Sequence, residues 1–188
     1  MNRRHFLQTS LLASVLAPSA WAADASTPGT SAGFKVAGGN NRLKEDLLIM
    51  GGRFDLKVSA RDTGGNLCIY DTVRESKGGP ALHRHHFQDE WFYIVRGNFI
   101  AQVGDQTFTL GPGDSAFAPR KIPHAFAMVS EGEGQMLVLF QPAGSMEEFF
   151  HAISTNFGKD IPKQTDREAM RKLWSEHGME IVGPPLTI

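Results

Sequence analysis

From Asn41 to about Gln141 the chain alternates short apolar runs with glycine-containing breaks. Phe54, Leu56 and Val58 alternate with Asp55 and Lys57, and Phe99, Ala101 and Val103 repeat the spacing. Side chains two apart share one face of a strand, so this period predicts half-buried strands. Turn signals stand between the runs at Gly64-Gly65, Gly97-Asn98, Gly104-Asp105 and Gly111-Pro112-Gly113-Asp114. Short strands punctuated this regularly predict an all-β fold, an antiparallel sandwich or barrel.

After Pro142 the period lengthens. Ser145 with Glu148, and Thr165 with Glu168, have the spacing of a capping box, in which a hydroxyl and a carboxylate satisfy free amides at a helix start. Met146, Phe149, Phe150, Ile153 and Phe157 then form one helical stripe closed by Gly158. Met170, Leu173 and Trp174 mark a second, closed by Gly178. Two C-terminal helices are expected, their stripes covering the outside of the β structure or a partner subunit.

The first residues read differently. Arg3-Arg4-His5-Phe6-Leu7 precedes an apolar stretch from Leu11 to Ala17 and the small-residue pattern Ala20-Trp21-Ala22. This predicts an export signal over residues 1–22, of the twin-arginine type that carries folded proteins, cleaved before Ala23. The apolar run is too short to span a bilayer comfortably, which argues against a retained anchor. A periplasmic or secreted location is the expectation. Ala23 to Gly33 is small and polar with little to bury, so residues 23–40 are expected to form a flexible linker and 41–188 the folded domain.

Cleavage would leave 166 of 188 residues, enough for one domain with a sizeable core. It would remove two arginines and no acid, taking the formal net charge from -1 to -3. No basic face argues for nucleic acid. The single cysteine, Cys68, cannot form an intrachain disulfide and reads as a small core residue. No internal repeat is evident.

The chemistry concentrates in His83-Arg84-His85-His86-Phe87-Gln88-Asp89-Glu90 and in a distant His124. His83 and His85 share a strand face and can enter one cavity. Glu90 follows His85 by an odd step, so a turn or bulge must intervene, and Gln88-Asp89 is the expected place. Three imidazoles and a carboxylate suit a divalent transition metal, with His83, His85, Glu90 and His124 as ligands. Iron, nickel, manganese, copper, cobalt and zinc are all compatible. His86 falls on the opposite face and reads as structural or solvent-facing, while His151 and His177 read as helix-surface residues. Counting in twos from Glu90 and His124 puts Phe92, Ile94, Phe126 and Met128 on the ligand side, as apolar walls of a substrate pocket or as core filling.

These residues resemble the two sequence motifs of the cupins. His83, His85, Glu90 and Gly97 match the first, and Gly113, Pro119 and His124 match the second. The leading glycine sits closer than the pattern has it, at Gly78 or Gly79. Lys121 replaces an inner glycine of the second motif, and Met128 its final asparagine. The resemblance runs over roughly residues 44–183 and is nearest in flavour to single-domain cupins grouped with quercetin dioxygenases. It implies a jelly-roll barrel, one bound metal and a homodimer. It also implies a dioxygenase in which Glu90 takes the proton from a phenol or enol substrate. Two other readings fit the same residues: a periplasmic metal or small-ligand binding protein without catalysis, and a metal-dependent isomerase or lyase.

Overall fold

A computed structural model describes residues 29–30, 32–158 and 166–188. Among these, the glycine-punctuated runs form strands of two antiparallel sheets, the jelly-roll arrangement of a cupin. One sheet has the order β1-β2-β3-β10-β5-β8, from Leu48–Ile49, Gly52–Val58, Cys68–Arg74, Gly134–Gln141, Asp89–Arg96 and Ser115–Ala118. The other has the order β11-β4-β9-β6-β7, from Met179–Pro185, Ala81–His85, His124–Met128, Phe99–Val103 and Gln106–Leu110. All four turn signals are used: Gly64, Gly65, Gly97, Gly104 and Gly113 take positive φ, a region open to glycine at little cost.

Inward side chains of the two sheets make one core. On β3 these are Cys68, Tyr70 and Thr72, and on β10 Met136, Val138 and Phe140. Asp55 on β2 breaks the expected alternation: it is buried beside Phe54 and Leu56, with Arg53 and Lys57 on its carboxylate. Burial pushes the Cys68 thiol well above its ordinary range, so it stays a neutral core residue.

The proposed export signal lies outside the described residues. Residues 32–46 carry no strand or helix, yet they touch the domain, with Arg42 over the Phe34 ring and Lys57 Nζ donating to the Asn40 carbonyl.

Helices α1 (Met146–Phe157) and α2 (Arg167–Glu176) follow β10 as expected. Their starts differ from expectation. Ser145 makes no side-chain cap bond, and its ψ of 27° is not the extended conformation a capping hydroxyl needs. Glu147 serves instead over a long range, accepting from Ser59 Oγ at 3.0 Å and from the Ala60 amide. It thereby ties α1 to the 3-10 turn Ala60–Thr63, whose own capping box pairs Ser59 with Asp62. Thr165 lies outside the described residues, and α2 begins after Asp166. Among the described residues no helix is long and apolar enough to cross a membrane.

The stripes do not cover the outside of the barrel. α1 packs on β1 and α2 on β11. Met146, Phe149, Phe150, Ile153 and Trp174 then face an internal cavity, where they meet β-sheet residues. Burying five large apolar side chains there makes the helices part of the core rather than a sleeve around it.

Candidate metal centre and its cavity

Two strands of one sheet carry the histidines and one strand of the other carries the carboxylate. β4 brings His83 and His85, and its neighbour β9 brings His124, directly paired with His83. Glu90 comes from β5 across the barrel. The odd step between His85 and Glu90 is resolved by a change of sheet. The chain leaves β4 after His85, passes through His86-Phe87-Gln88 and enters β5 at Asp89. Asp89 is thus the first residue of the strand rather than part of the turn.

Local contacts fix this crossing. The Lys121 amide donates to the His85 carbonyl at 2.6 Å, and Arg120 grips the Asp89 carboxylate through its amide and guanidinium. Arg120 holds the Asp89 carboxyl below its usual range, against the opposing effect of burial. Gly79 allows β4 to start against β9, since a Cβ there would lie 1.7 Å from the Phe126 carbonyl oxygen. Gly78 bridges Met128 through both backbone bonds at φ +109°.

All four side chains are buried, and one ligand atom from each lies within 4.8 Å of all the others. His124 Nε2 is 2.8 Å from Glu90 Oε2, His85 Nε2 is 3.1 Å and His83 Nε2 is 4.0 Å. The Nδ1 atoms of His83 and His124 contact the carbonyls of Ala81 and Ile122, at 2.8 and 2.9 Å. Such bonds fix the tautomer with the proton on Nδ1 and leave Nε2 free to ligate. His85 differs. Both its ring nitrogens are buried without a hydrogen-bond partner, the 3.1 Å approach to Glu90 being off the bonding direction. Buried orphaned nitrogens are uncommon and call for a missing partner. A single ion bound by these four residues supplies one, so the donor set fits a transition metal.

The four groups also set one another's charge. Burial pushes Glu90 up, but the hydrogen bond with His124 and the charges of His124 and His85 outweigh it and hold the carboxyl well below the ordinary range. Burial and the charges of His124 and His85 drive His83 far down, keeping it neutral as a ligand must be. Burial also pushes His124 down, and its bond to Glu90 more than reverses this, leaving it raised.

The cavity beside this cluster measures about 60 Å³ and is lined chiefly by apolar side chains. Phe126 lines it, as sequence alternation predicts. Phe92, Ile94 and Met128 do not; they are fully buried in the core, Phe92 behind Phe126 at 5.4 Å between rings. Their strands put them on the inward face, but the cavity is displaced toward β1, β3 and the helices. Trp174 stands edge-on to His83 at 4.7 Å, and Arg74 enters from β3. Sequence reasoning missed both. Arg74 continues the inward series Cys68, Tyr70, Thr72, a signal legible by counting in twos. His151 is exposed on α1, and His86 lies near Glu180 at the surface. His177 caps α2 half-buried, its ring 5.7 Å from Phe149, rather than lying free on a helix face.

A family model described as the cupin domain matches residues 72–140, a span that contains all four candidate ligands. With both motifs and the jelly-roll sheets in place, residues 72–140 form a cupin domain. An uncharacterised protein of Methanocaldococcus jannaschii is 27% identical over 67 residues, covering 36% of this chain and 54% of that protein. The chain therefore spans about half the length of the curated relative it matches. Among solved structures, KdgF from Halomonas sp. is 23% identical, with 49% of this chain and 79% of that one covered at a TM-score of 0.42. An RmlC-like cupin from Shewanella frigidimarina is 18% identical, with 57% and 93% covered at a TM-score of 0.43.

Proposed function

We propose that this cupin is a metal-dependent dioxygenase, quercetinase-like in its chemistry, acting on a small aromatic or enol-bearing molecule. The observation that carries the reading is His85, whose two unbonded nitrogens stand buried beside an ionised Glu90 and two imidazoles with their Nδ1 atoms already committed. When bound by His83, His85, His124 and Glu90, a divalent ion supplies Lewis acidity and access to dioxygen chemistry. Among the described residues Glu90 is the only acid in the cavity wall, and it accepts the proton of a substrate hydroxyl. Phe126, Phe140, Phe149, Phe150 and Trp174 hold the organic part and exclude water.

Size narrows the substrate. Drug-sized ligands occupy pockets of about 300 Å³ or more, so the space of about 60 Å³ favours a molecule smaller than a three-ring flavonol unless the helices move. The Arg3-Arg4 signal supports export in the folded state, with the ion acquired before copper and zinc can compete for it.

The reading is tested by metal analysis of the purified protein, followed by oxygen uptake with catechol. The Glu90→Gln variant is expected to retain most of its metal and lose turnover by at least about a hundredfold. Full turnover in that variant would overturn the role of Glu90. Product formed without oxygen consumption would favour a lyase or isomerase, and tight metal binding with no turnover a binding protein.

A further inference from the structure

Among the described residues Arg74 is a buried cation with no carboxylate in ion-pair contact. It ends β3 on the inward face at 5% exposure and lines the cavity that also holds His83, His85 and Glu90. One Nη2 bond reaches the Met50 carbonyl at 3.1 Å, while Nε is buried with no acceptor. Its guanidinium carbon lies 5.7 Å from the Phe126 ring centre. Among the described residues no carboxylate pairs with it, and burial alone brings its pKa down to about 10, leaving it charged at neutral pH.

Packing does not account for such a residue. An apolar side chain of similar volume would fill the wall without a buried unpaired charge or an orphaned donor. The Met50 carbonyl that accepts from it belongs to the tight turn Met50-Gly51 joining β1 to β2, so a hairpin fixes the one contact Arg74 has. A planar fork of N–H donors, pre-positioned in an apolar cavity, is the arrangement that recognises a carboxylate.

We propose that Arg74 is the substrate-recognition residue of this site and that the substrate is a small carboxylic acid, one ring or less, bearing a hydroxyl or enol oxygen. Its carboxylate pairs with the Arg74 guanidinium while the second oxygen function turns toward the histidine and glutamate cluster. This deepens the proposed function and rests on its reading of the cavity as a site for an organic substrate. The limited space and the apolar lining select against larger or multiply charged acids.

The test uses the full chain loaded with zinc, which is redox-inert, so that binding is read without turnover. Salicylate, benzoate and pyruvate are each titrated calorimetrically against their uncharged amides. At least one acid is expected to bind, with an acid-to-amide preference that falls at least about tenfold in Arg74→Met at unchanged zinc content. Arg74→Lys, which keeps the charge but not the fork, is expected to retain part of the preference, and it serves as the comparison if Arg74→Met does not fold. No acid binding to the wild type, or a preference that survives both substitutions, would overturn the inference. Oxygen consumption is not part of the readout, so a protein that prefers acids through Arg74 but lacks oxygenase activity would sink the catalytic reading and leave this one standing. Titration of the metal-free protein separates the two in the same way if zinc fails to load.

Discussion

Lys121 sits at φ +69°, the left-handed conformation that its place in the second cupin motif reserves for glycine. A side chain in that region costs about 1–2 kcal/mol, partly offset by the greater freedom that glycine has in the unfolded chain. Lys121→Gly is therefore expected to stabilise the protein by about 0.5–1 kcal/mol, read as a higher denaturation midpoint at unchanged slope. A lower midpoint would mean that the lysine side chain makes a contribution larger than its strain. At this scale the sequence was readable where chemistry and spacing coincide. His83, His85, Glu90 and His124 could be named because few patterns put three imidazoles and a carboxylate in such order. Arg74 lay on an equally plain alternation but carries no motif, and whether an inward arginine is paired depends on residues remote in the chain.

Among the elements, the strands and both helical stripes follow from periodicity, while the contacts that join elements do not. The capping box expected of Ser145 with Glu148 is absent because Ser145 is not extended, and the neighbouring Glu147 instead reaches the turn at Ser59 and Ala60, some ninety residues earlier in the chain. Asp62 belongs to the same joint, accepting from the Ser59 amide at 3.0 Å and from Arg42 at 2.9 Å. Burial lifts its carboxyl, but these bonds and the charge of Arg42 outweigh it, so the folded-state value is depressed. A depressed carboxyl adds stability that is fully present above its unfolded value of about 3.9 and is lost as pH falls through the folded value. Asp62→Asn is accordingly expected to cost about 1 kcal/mol at pH 7. The gap between variant and wild type should close as the pH drops below about 3.9. Urea titrations at the two extremes check this, and a gap that persists in acid would rule out the ionised carboxylate as its source.

In the whole molecule, three candidate ligands hang from one sheet and the fourth from the other. An ion held among them would tie the two sheets together, and it would favour the folded state because only folding brings His124 beside His83, His85 and Glu90. Zinc at roughly a hundred times its Kd should add about 2.7 kcal/mol. For a chain of this length that raises Tm by about 5–10 °C. Scanning calorimetry with and without a chelator measures the shift, and His85→Ala should abolish most of it. A Tm indifferent to every divalent transition ion would remove the metal from the account. The jelly roll and its centre were legible in the sequence because both rest on short-range patterns. The placement of the cavity was not, since it depends on where the C-terminal helices come to rest, and an apolar stripe says only that something must cover it.

That resting place divides the labour within the chain. His83, His85, His124 and Glu90 fall inside the stretch that matches the cupin domain, whereas Met146, Phe149, Phe150, Ile153 and Trp174 lie beyond its last residue, Phe140. Part of the cavity wall is thus separable from the candidate ligands along the sequence, while Arg74, Phe126 and Phe140 stay within the matched stretch. On the proposed reading, substitutions at the five positions beyond Phe140 reshape the cavity without touching a candidate ligand, which makes them the place to begin when testing other small molecules.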